Sequence, residues 1–483
     1  MRRQDIQLLA LARQGDAAAR REVGRRYLLG SDGFPHHVAS GLDYLARDDD
    51  PAAARIVAEA LPLAELLALD QLPALERAAQ AGSAAAQRKL AAWRVLRDGG
   101  DIAALPRDDA DLQLPAVARV AAQQALAGAP LPQLSRCLRH ALALADRGSG
   151  DGATADLAAL VVDAVQRAET EQTPLQGLSA DALATILDQR AMQGDRIAAY
   201  ALGRALCGIT NPAFAPELFA EHQNMRRGAA FLLRAADAGQ DDAWLHLYRL
   251  HADHRLSVAN PQMARFFLEK AATRGLAEAQ RKLGALLLRE ATALAESEQA
   301  IHWLHQAAGQ GDAPARELLD SLVLPVADDD DDDAQQAIEE LRRSDPWLAI
   351  RLQLARVFGL TKLEALSVDP AEGLRPWGLV VGRNPFVSQS RLAAPRAIPA
   401  LSAAAMEAAR QAASFFGQAR GDARSAEGDL RRRSARQRRA FERLGLDDSM
   451  FFAEATAMTL EALRLGPKWA FRARQPLRSA LAA

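Results

Sequence analysis

Two groups of histidines are the first candidates for chemistry in this sequence. They are His302 with His305, and His246 with His251 and His254. Two imidazoles on one face of a helix bind zinc when a third ligand lies nearby. The first pair has no third ligand near it in the sequence, and Trp303 between its members belongs to a recurring pattern described below. We therefore interpret both groups as packing or surface residues and predict no metal site.

The cysteines and the motif content do not indicate catalysis. Cys137 and Cys207 are too few for a disulfide framework, and both lie in apolar helical surroundings, as small core residues do. The sequence has no glycine-rich phosphate loop, no nucleophile elbow and no cysteine-pair zinc motif. We therefore predict no catalytic residue and no cofactor. An enzyme with a site in the loop at 377–391 is the least favoured alternative.

A basic segment, LRRRSARQRRAFERLG, could bind an anionic partner. On a helix over 430–444, four arginines spaced at i, i+4, i+7 and i+11 form one stripe. This arginine stripe consists of Arg432, Arg436, Arg439 and Arg443. The stripe is either a solvated surface or a contact for an acidic protein, for the chain's own aspartates or for nucleic acid. No aromatic residue lies between the arginines, which argues against single-strand binding.

The element that would position such groups is a helical repeat. Gly239, Gly275 and Gly311 are 36 residues apart, and each follows an Ala-Ala pair. An aromatic residue lies eight positions before each glycine, at Phe231, Phe267 and Trp303. An alanine follows at +4 and a leucine at +8. A period of this length is typical of stacked helical hairpins, each of which depends on its neighbours to bury its apolar face.

The same template extends toward the N-terminus, around Gly15, Gly82 and Gly194. Gly-Asp pairs such as Gly15-Asp16 and Gly311-Asp312 fit a helix-to-helix corner. Glycine takes the left-handed position that ends one helix, and aspartate caps the free N–H groups of the next. Small residues nine positions after the corner, such as Gly284, allow two helices to approach closely.

This pattern resembles the Sel1-like repeat family, a relative of the tetratricopeptide repeats. One half of the family's motif is present in Ala12, Gly15, Ala19, Gly24, Tyr27 and Gly30, with Val23 in place of a leucine. The other half is present in Ala300, Trp303, Ala307 and Ala308. The resemblance covers about residues 5–322. It implies a right-handed α-α superhelix that serves as an adaptor or scaffold, and it implies no catalytic residue.

The six consecutive aspartates Asp328–Asp333 predict an extended, solvated segment at which the repeats end. We expect a repeat solenoid over 1–322, an acidic linker over 323–336 and a mostly helical basic domain over 337–483, with a proline-rich loop at 368–400. Residues 334–483 hold 24 Arg and Lys against 15 Asp and Glu, which is a net charge of +9. Because the whole chain has a net charge of −2, residues 1–333 carry −11. Trp377–Gly382 predicts a strand, and helices are expected at 403–419, 423–444 and 449–465.

The sequence therefore predicts a non-enzymatic adaptor that binds protein partners through a helical-repeat surface. The leading alternative is a nucleic-acid-associated regulator that uses the arginine helix 430–444. The N-terminal apolar stretch is too short for a signal peptide, and no run approaches the ~18 apolar residues of a membrane span. We accordingly expect a cytoplasmic protein of bacterial type with no membrane partner.

Overall fold

The predicted all-α fold is confirmed by the computed structural model, in which one small sheet accompanies many helices. The structure describes residues 3–45, 50–106, 109–145, 151–210, 222–327, 331–382, 395–418, 427–456 and 474–482. The chain forms two compact units, Met1–Ala243 and Trp244–Ala483. None of the described helices is long and apolar enough to cross a membrane.

The first unit consists of helices. They are α1 (Arg3–Gln14), α2 (Ala17–Leu29), α3 (Val38–Leu45), α4 (Pro51–Ala60), α5 (Leu63–Ala68), α6 (Leu72–Gln80), α7 (Ala84–Asp98), α8 (Leu114–Gly128), α9 (Leu131–Ala145), α10 (Asp151–Thr170), α11 (Ala180–Met192), α12 (Arg196–Leu206) and α13 (Met225–Asp237). Helix α14 (Asp242–Ala252) begins at the end of this unit and lies mostly in the second.

The second unit combines repeat hairpins with a smaller mixed module. Its remaining helices are α15 (Pro261–Thr273), α16 (Ala277–Glu290), α17 (Leu294–Gly309), α18 (Ala313–Asp320), α19 (Asp331–Ser344), α20 (Pro346–Phe358), α21 (Lys362–Ser367), α22 (Pro370–Gly373), α23 (Ala403–Gln418), α24 (Leu430–Leu444) and α25 (Arg474–Ala482). Strands β1 (Leu374–Arg375), β2 (Gly378–Val381) and β3 (Arg396–Pro399) form an antiparallel sheet in that order. Strand β2 lies in the strand predicted at Trp377–Gly382.

The corners between repeat helices have the geometry that their residues favour. Gly15 and Gly311 have φ values of 102° and 93°, in the left-handed region where a side chain is strained. The following aspartates cap the next helix, since Asp16 accepts a hydrogen bond from the amide of Ala19 and Asp312 from that of Ala315. The other glycines of the template also have positive φ; they are Gly82, Gly194, Gly239 and Gly275.

A second type of glycine lets helices approach each other closely. Gly284 of α16 lies against α17, where an added Cβ would be 2.9 Å from the carbonyl oxygen of Ala300 and 2.7 Å from Cγ of Leu304. Gly203 of α12 meets Gly228 of α13 in the same way in the first unit. Both contacts exclude even a methyl group, which explains the small residues nine positions after a corner.

The residues after the aspartates share their core with the repeat helices of the second unit. Leu304 and Leu318 of α17 and α18 belong to one buried cluster with Trp377, Val380 of β2 and Ala480 of α25. The sequence predicts an acidic linker and an independent domain at this point of the chain, and the shared cluster shows that residues on both sides of the aspartates pack together.

The acidic segment itself is partly helical. Asp331–Asp333 form the beginning of α19, whereas Asp328, Asp329 and Asp330 lie outside the described residues. Carboxylates near a helix N-terminus are stabilised by its partial positive charge, which offsets their repulsion. The predicted helix at 403–419 corresponds to α23, and that at 423–444 is shorter, since α24 begins at Leu430. Of the helix expected at 449–465, the described part to 456 contains only one 3-10 turn, at Asp448–Met450.

Candidate functional site

The histidines lie among packing contacts. His251 bonds through Nδ1 to the carbonyl oxygen of Leu247 at 2.9 Å, and its ring centroid is 5.0 Å from that of Phe267. His302 bonds to Gln306 at 3.0 Å. Burial lowers the pKa of His305, and the neighbouring His302 lowers it by a smaller amount, so the imidazole of His305 is uncharged at neutral pH. Within the described ranges, no group of three His, Cys, Asp or Glu residues is arranged to hold a metal ion.

Both cysteines are buried free thiols. Cys137 donates toward the carbonyl oxygens of Leu96 and Arg97, at 3.6 and 3.4 Å. Burial raises the pKa of Cys207 to about 12. A thiol with so high a pKa is not a nucleophile at neutral pH, because the reactive species is the thiolate.

The structure divides the predicted arginine stripe. Helix α24 is capped by Asp429 at its N-terminus and by Gly445, with a φ of 65°, at its C-terminus. Arg432, Arg439 and Arg443 are exposed. Arg436 is half-buried instead, where it approaches Asp345 at 3.5 Å and donates to the carbonyl oxygen of Glu427 at 2.5 Å. Three of the four arginines therefore present their charge to solvent.

Arg433, which the stripe omits, has a buried partner. Its guanidinium lies 3.1 Å from Glu427 and donates to the carbonyl oxygen of Leu366. Arg351 of α20 binds the same carboxylate, at 2.5 and 3.1 Å. Burial is the larger cause and repulsion by Arg351 the smaller cause that lower the pKa of Arg433 to about 10. The side chain of Arg433 therefore stays charged at neutral pH. One carboxylate thus holds α24 against α20.

A groove places the acidic segment next to the C-terminal end of the arginine helix. The groove has a volume of about 330 Å³ and is lined by Asp333 and Glu340 of α19 and by Leu444 and Gly445 at the end of α24. The exposed Arg443 directly precedes the lining residue Leu444. The sequence left open a contact between the aspartates and the arginine stripe, and of these residues Asp333 lines the groove.

A cavity of the second unit lies where repeat helices meet the mixed module, and we call it the interhelix cleft. Its volume is about 360 Å³. The repeat side contributes residues of α17 and α18, and the module contributes the β1–β2 turn and the start of α23. Its lining comprises His305, Ala308, Gly309, Arg316, Leu319, Pro376, Ala400, Leu401, Ser402, Ala403, Met406 and Arg410. A volume of this size is typical of ligand-binding pockets.

The cleft combines positive charge with an apolar surface. Among the described residues that line it, Arg316 and Arg410 are charged and none is Asp or Glu. The hydroxyl of Ser402 accepts a hydrogen bond from the amide of Ala405 at 3.1 Å and so caps α23, whose N-terminal end favours negative charge. Leu401 is 40% exposed, although it is a large apolar residue. The lining therefore suits a ligand that carries both an anionic and an apolar group.

No repeat position identifies this cleft in the sequence. The fifth position after the corner glycine is Trp244 in one repeat and Gln280 in the next, and both side chains are buried. In the last repeat the same position is the exposed Arg316. Because this position is also the exposed Gln87 after Gly82 and the half-buried Arg20 after Gly15, an exposed or charged residue there does not by itself indicate a cleft.

The other predicted residues are the aromatic residues of the repeats and those of the proline-rich loop. Tyr27 stacks on Tyr44 with ring centroids 6.1 Å apart and meets the edge of Phe34 at 5.0 Å. Phe267 is 2% exposed, whereas Trp303 is only half-buried. In the proline-rich loop at 368–400, Trp377 belongs to the core, and Arg383–Arg391 lie outside the described residues.

Comparisons with known proteins give structural likeness only. No family model and no curated protein matches the chain. The chain is similar to a Sel1 repeat protein from Oxalobacter formigenes, with 22% identity over 64% of this chain and 87% of that chain, at a TM-score of 0.24. It is also similar to c5321, a protective antigen of uropathogenic Escherichia coli with an SLR fold, with 16% identity over 94% and 98% of the two chains, at a TM-score of 0.26.

The helical repeats predicted from the sequence are present in this chain's own geometry. The left-handed glycine and the capping aspartate recur at the corners, as at Gly15-Asp16 and Gly311-Asp312. Glycines such as Gly284 provide close helix contacts at the position where the family's motif has a small residue. The chain is thus a helical-repeat protein whose corner and close-contact residues resemble those of the Sel1-like pattern.

Proposed function

We propose that this protein is a non-enzymatic scaffold that binds a partner protein through the interhelix cleft of its second unit. The observation that carries the proposal is the composition of that cleft, in which Arg316 and Arg410 border the exposed apolar side chain of Leu401. Arginine and methionine are enriched in protein interfaces, and arginine is frequent among the few residues that supply most of the binding energy. Helical repeats provide a rigid frame for such a surface.

The test uses the full chain, because residues 334–483 share a core with the repeat helices and a cut at the aspartates would expose it. Immobilised protein is incubated with a lysate of its native host, and each captured protein is purified and titrated against the parent and against Leu401→Asp. We expect Leu401→Asp to weaken binding at least tenfold, because it places a negative charge on the apolar wall.

The matched control is Leu363→Asp, since Leu363 is 42% exposed in α21 and does not line the cleft. We expect this variant to bind as the parent does. A captured partner that binds Leu401→Asp and the parent equally would exclude the cleft as the binding surface. A parent chain that binds no protein stoichiometrically would exclude the scaffold function.

A second candidate is binding to nucleic acid through α24, favoured by its exposed arginines. These are Arg431, Arg432, Arg438, Arg439 and Arg443. Five phosphate contacts predict that log K falls against log salt with a slope of roughly −4 to −5 on duplex DNA. Changing Arg432, Arg439 and Arg443 to Gln would reduce the magnitude of that slope by about 3. Absent or salt-independent DNA binding by the parent would remove this candidate.

A further inference from the structure

We infer that the interhelix cleft recognises a peptide segment in which an acidic side chain lies next to a large apolar one. This inference rests on the proposed scaffold function and names the chemical class of its partner. It follows from the charge, the apolar wall and the size of the cleft.

The charge of the cleft is available for a ligand. Arg316 is exposed, and its guanidinium makes no hydrogen bond or ion pair with any residue that the structure describes. Among the described residues, Arg410 forms an ion pair with Glu407, at 3.7 Å, and both of these side chains are exposed. Such a pair is worth little, because solvent screens it, so a ligand carboxylate competes with it at low cost. The cleft therefore complements negative charge.

The apolar wall lies within the same cavity. Leu319 of α18, Met406 of α23 and Pro376 of the β1–β2 turn line it together with Leu401. Leu401 precedes α23 and Met406 lies in its first turn, and an apolar side chain that contacts both within the cleft is partly removed from water. Each such methylene group contributes about 0.8 kcal/mol to binding when it is buried. Methionine also adapts to different apolar shapes.

This combination distinguishes a peptide from other anionic ligands. A free inorganic anion uses the arginines and leaves the apolar wall in water. A single-stranded nucleic acid binds along a track of cations with aromatic side chains for stacking, and a duplex needs several phosphate contacts, whereas the described lining has two arginines and no aromatic residue other than His305. His305 adds no charge at neutral pH, because burial lowers its pKa. A short peptide with a carboxylate beside an apolar side chain satisfies both parts.

The test is selection of a phage-displayed library of random dodecapeptides on the full chain, followed by titration of synthetic labelled peptides. We expect the selected peptides to share an Asp or Glu within a few residues of a Leu, Ile, Met or Phe. Arg316→Glu and Arg410→Glu are expected to weaken binding about tenfold or more, since each replaces an attractive charge by a repulsive one. Leu401→Ser should weaken binding as well, through loss of the apolar contact.

The matched control is Arg438→Glu, which changes the net charge equally at an exposed arginine of α24 outside the cleft. This variant should bind the peptides as the parent does. Arg316 and Arg410 are exposed, so their variants are expected to fold, and thermal melts check this. Selected peptides without acidic residues, or peptides that bind Arg316→Glu and the parent equally, would overturn the inference.

Two further measurements test whether a ligand other than a peptide occupies the cleft. Inorganic phosphate that displaces the peptide at equal concentration would identify a plain anion site and overturn the inference. Dimerisation of the parent that Arg316→Glu abolishes, measured by light scattering, would identify a second copy as the occupant and overturn it too. A host protein that binds through the cleft without an acidic segment would overturn only the inference. If no host protein depends on the cleft, the proposed function fails independently.

Discussion

Arg396 of β3 and Glu364 of α21 form a bidentate ion pair in which both side chains are almost completely buried, at 1% and 0% exposure. The two hydrogen bonds measure 2.8 and 3.1 Å. Arg396 also donates to the carbonyl oxygen of Gly359, which ends α20, while Glu364 accepts from the amide and hydroxyl of Thr361. One ion pair therefore joins the small sheet to the corner between α20 and α21.

Removal of one partner of this pair should destabilise the protein strongly. Arg396→Met leaves the carboxylate of Glu364 buried without its countercharge, and we expect a loss of about 3–5 kcal/mol in the free energy of unfolding. The double variant Arg396→Met with Glu364→Leu should recover most of the loss, since an apolar pair leaves no buried charge. Urea unfolding measures both values. A single variant within 1 kcal/mol of the parent would contradict the role given to this pair.

The exposed pair Lys362–Asp448 provides the control for this comparison. Its N–O distance is 2.6 Å, but its side chains are 40% and 50% exposed. Solvent screening limits such a pair to about 0–1 kcal/mol. We therefore expect Lys362→Ala to leave the unfolding midpoint almost unchanged.

The same carboxylate predicts a pH dependence of stability. Burial raises the pKa of Glu364, but the hydrogen bonds and charge of Arg396, with the bonds from Thr361, outweigh it and hold the pKa below its ordinary value of 4.5. The unfolded chain therefore binds this proton first as the pH falls. The stabilisation by Glu364 is complete above about pH 4.5 and is lost as the pH falls through the lower folded-state value.

Unfolding of the parent and of Glu364→Gln, measured between pH 7 and pH 3, checks this sign. The parent should be more stable than the variant at pH 7, and the difference should shrink below about pH 4.5. A difference that stays constant, or that grows toward acid, would show that Glu364 is not held as the anion in the folded protein.

The sequence predicted the repeats but not the buried ion pairs, for a physical reason. A corner such as Gly311-Asp312 is local, because backbone conformation and capping involve residues within a few positions of each other. Arg396 and Glu364 are 32 residues apart and belong to elements without a period. Their pairing depends on how a short sheet packs against α21, and neither composition nor spacing encodes that packing.

The arginine helix α24 shows that helical periodicity predicts a helix but not the partners of its side chains. Its amphipathic spacing correctly favours a helix over 430–444, as the structure has it. The stripe, however, treated its four arginines as equivalent and omitted Arg433, whereas the structure commits both Arg433 and the stripe member Arg436 to Glu427. Helical periodicity gives the angle of a side chain around its helix but not the position of a buried carboxylate from another segment. The interhelix cleft was missed for the same reason.

Arginines of α24 should accordingly differ in their effect on stability. Arg433→Gln removes a buried partner of Glu427, and we expect a loss of about 1.5–3 kcal/mol, the range for a hydrogen bond to a charged group. Arg432→Gln and Arg439→Gln change exposed side chains and should stay within about 0.5 kcal/mol of the parent. Thermal melts of the three variants test this order. Equal losses in all three would contradict the division of the helix into buried and exposed arginines.

Aromatic residues at equivalent repeat positions should also differ. Phe267 is 2% exposed and packs against Trp244, with ring centroids 6.0 Å apart, so Phe267→Ala should cost about 3–5 kcal/mol. Trp303 is half-buried, and its truncation opens a site that solvent already reaches. We therefore expect a smaller loss for Trp303→Ala, although the sequence pattern makes the two residues equivalent. Urea unfolding of both variants checks the order, and a larger loss at Trp303 would contradict it.

The two kinds of glycine give the last prediction. At Gly311, a Cβ would meet nothing within 4 Å, so Gly311→Ala costs only the strain of a φ of 93°, about 1–2 kcal/mol. At Gly284, the backbone conformation is helical, and alanine there is intrinsically favoured by about 1 kcal/mol. The added methyl group would nevertheless overlap the carbonyl oxygen of Ala300 at 2.9 Å and Leu304 at 2.7 Å, which forces α16 and α17 apart.

Substitution at Gly284 therefore tests close helix packing, and substitution at Gly311 tests the corner. Overpacking costs roughly 1–3 kcal/mol for one methyl group, and we expect Gly284→Val to be worse than Gly284→Ala because each added methyl group increases the overlap. At Gly311, Asn should be tolerated better than Ala, since asparagine adopts the left-handed conformation more readily. Denaturant unfolding of the four variants distinguishes the two causes. Rescue of Gly284→Ala by Leu304→Ala would place the clash at the α16–α17 contact, and failure of that rescue would assign the clash to the backbone of Ala300.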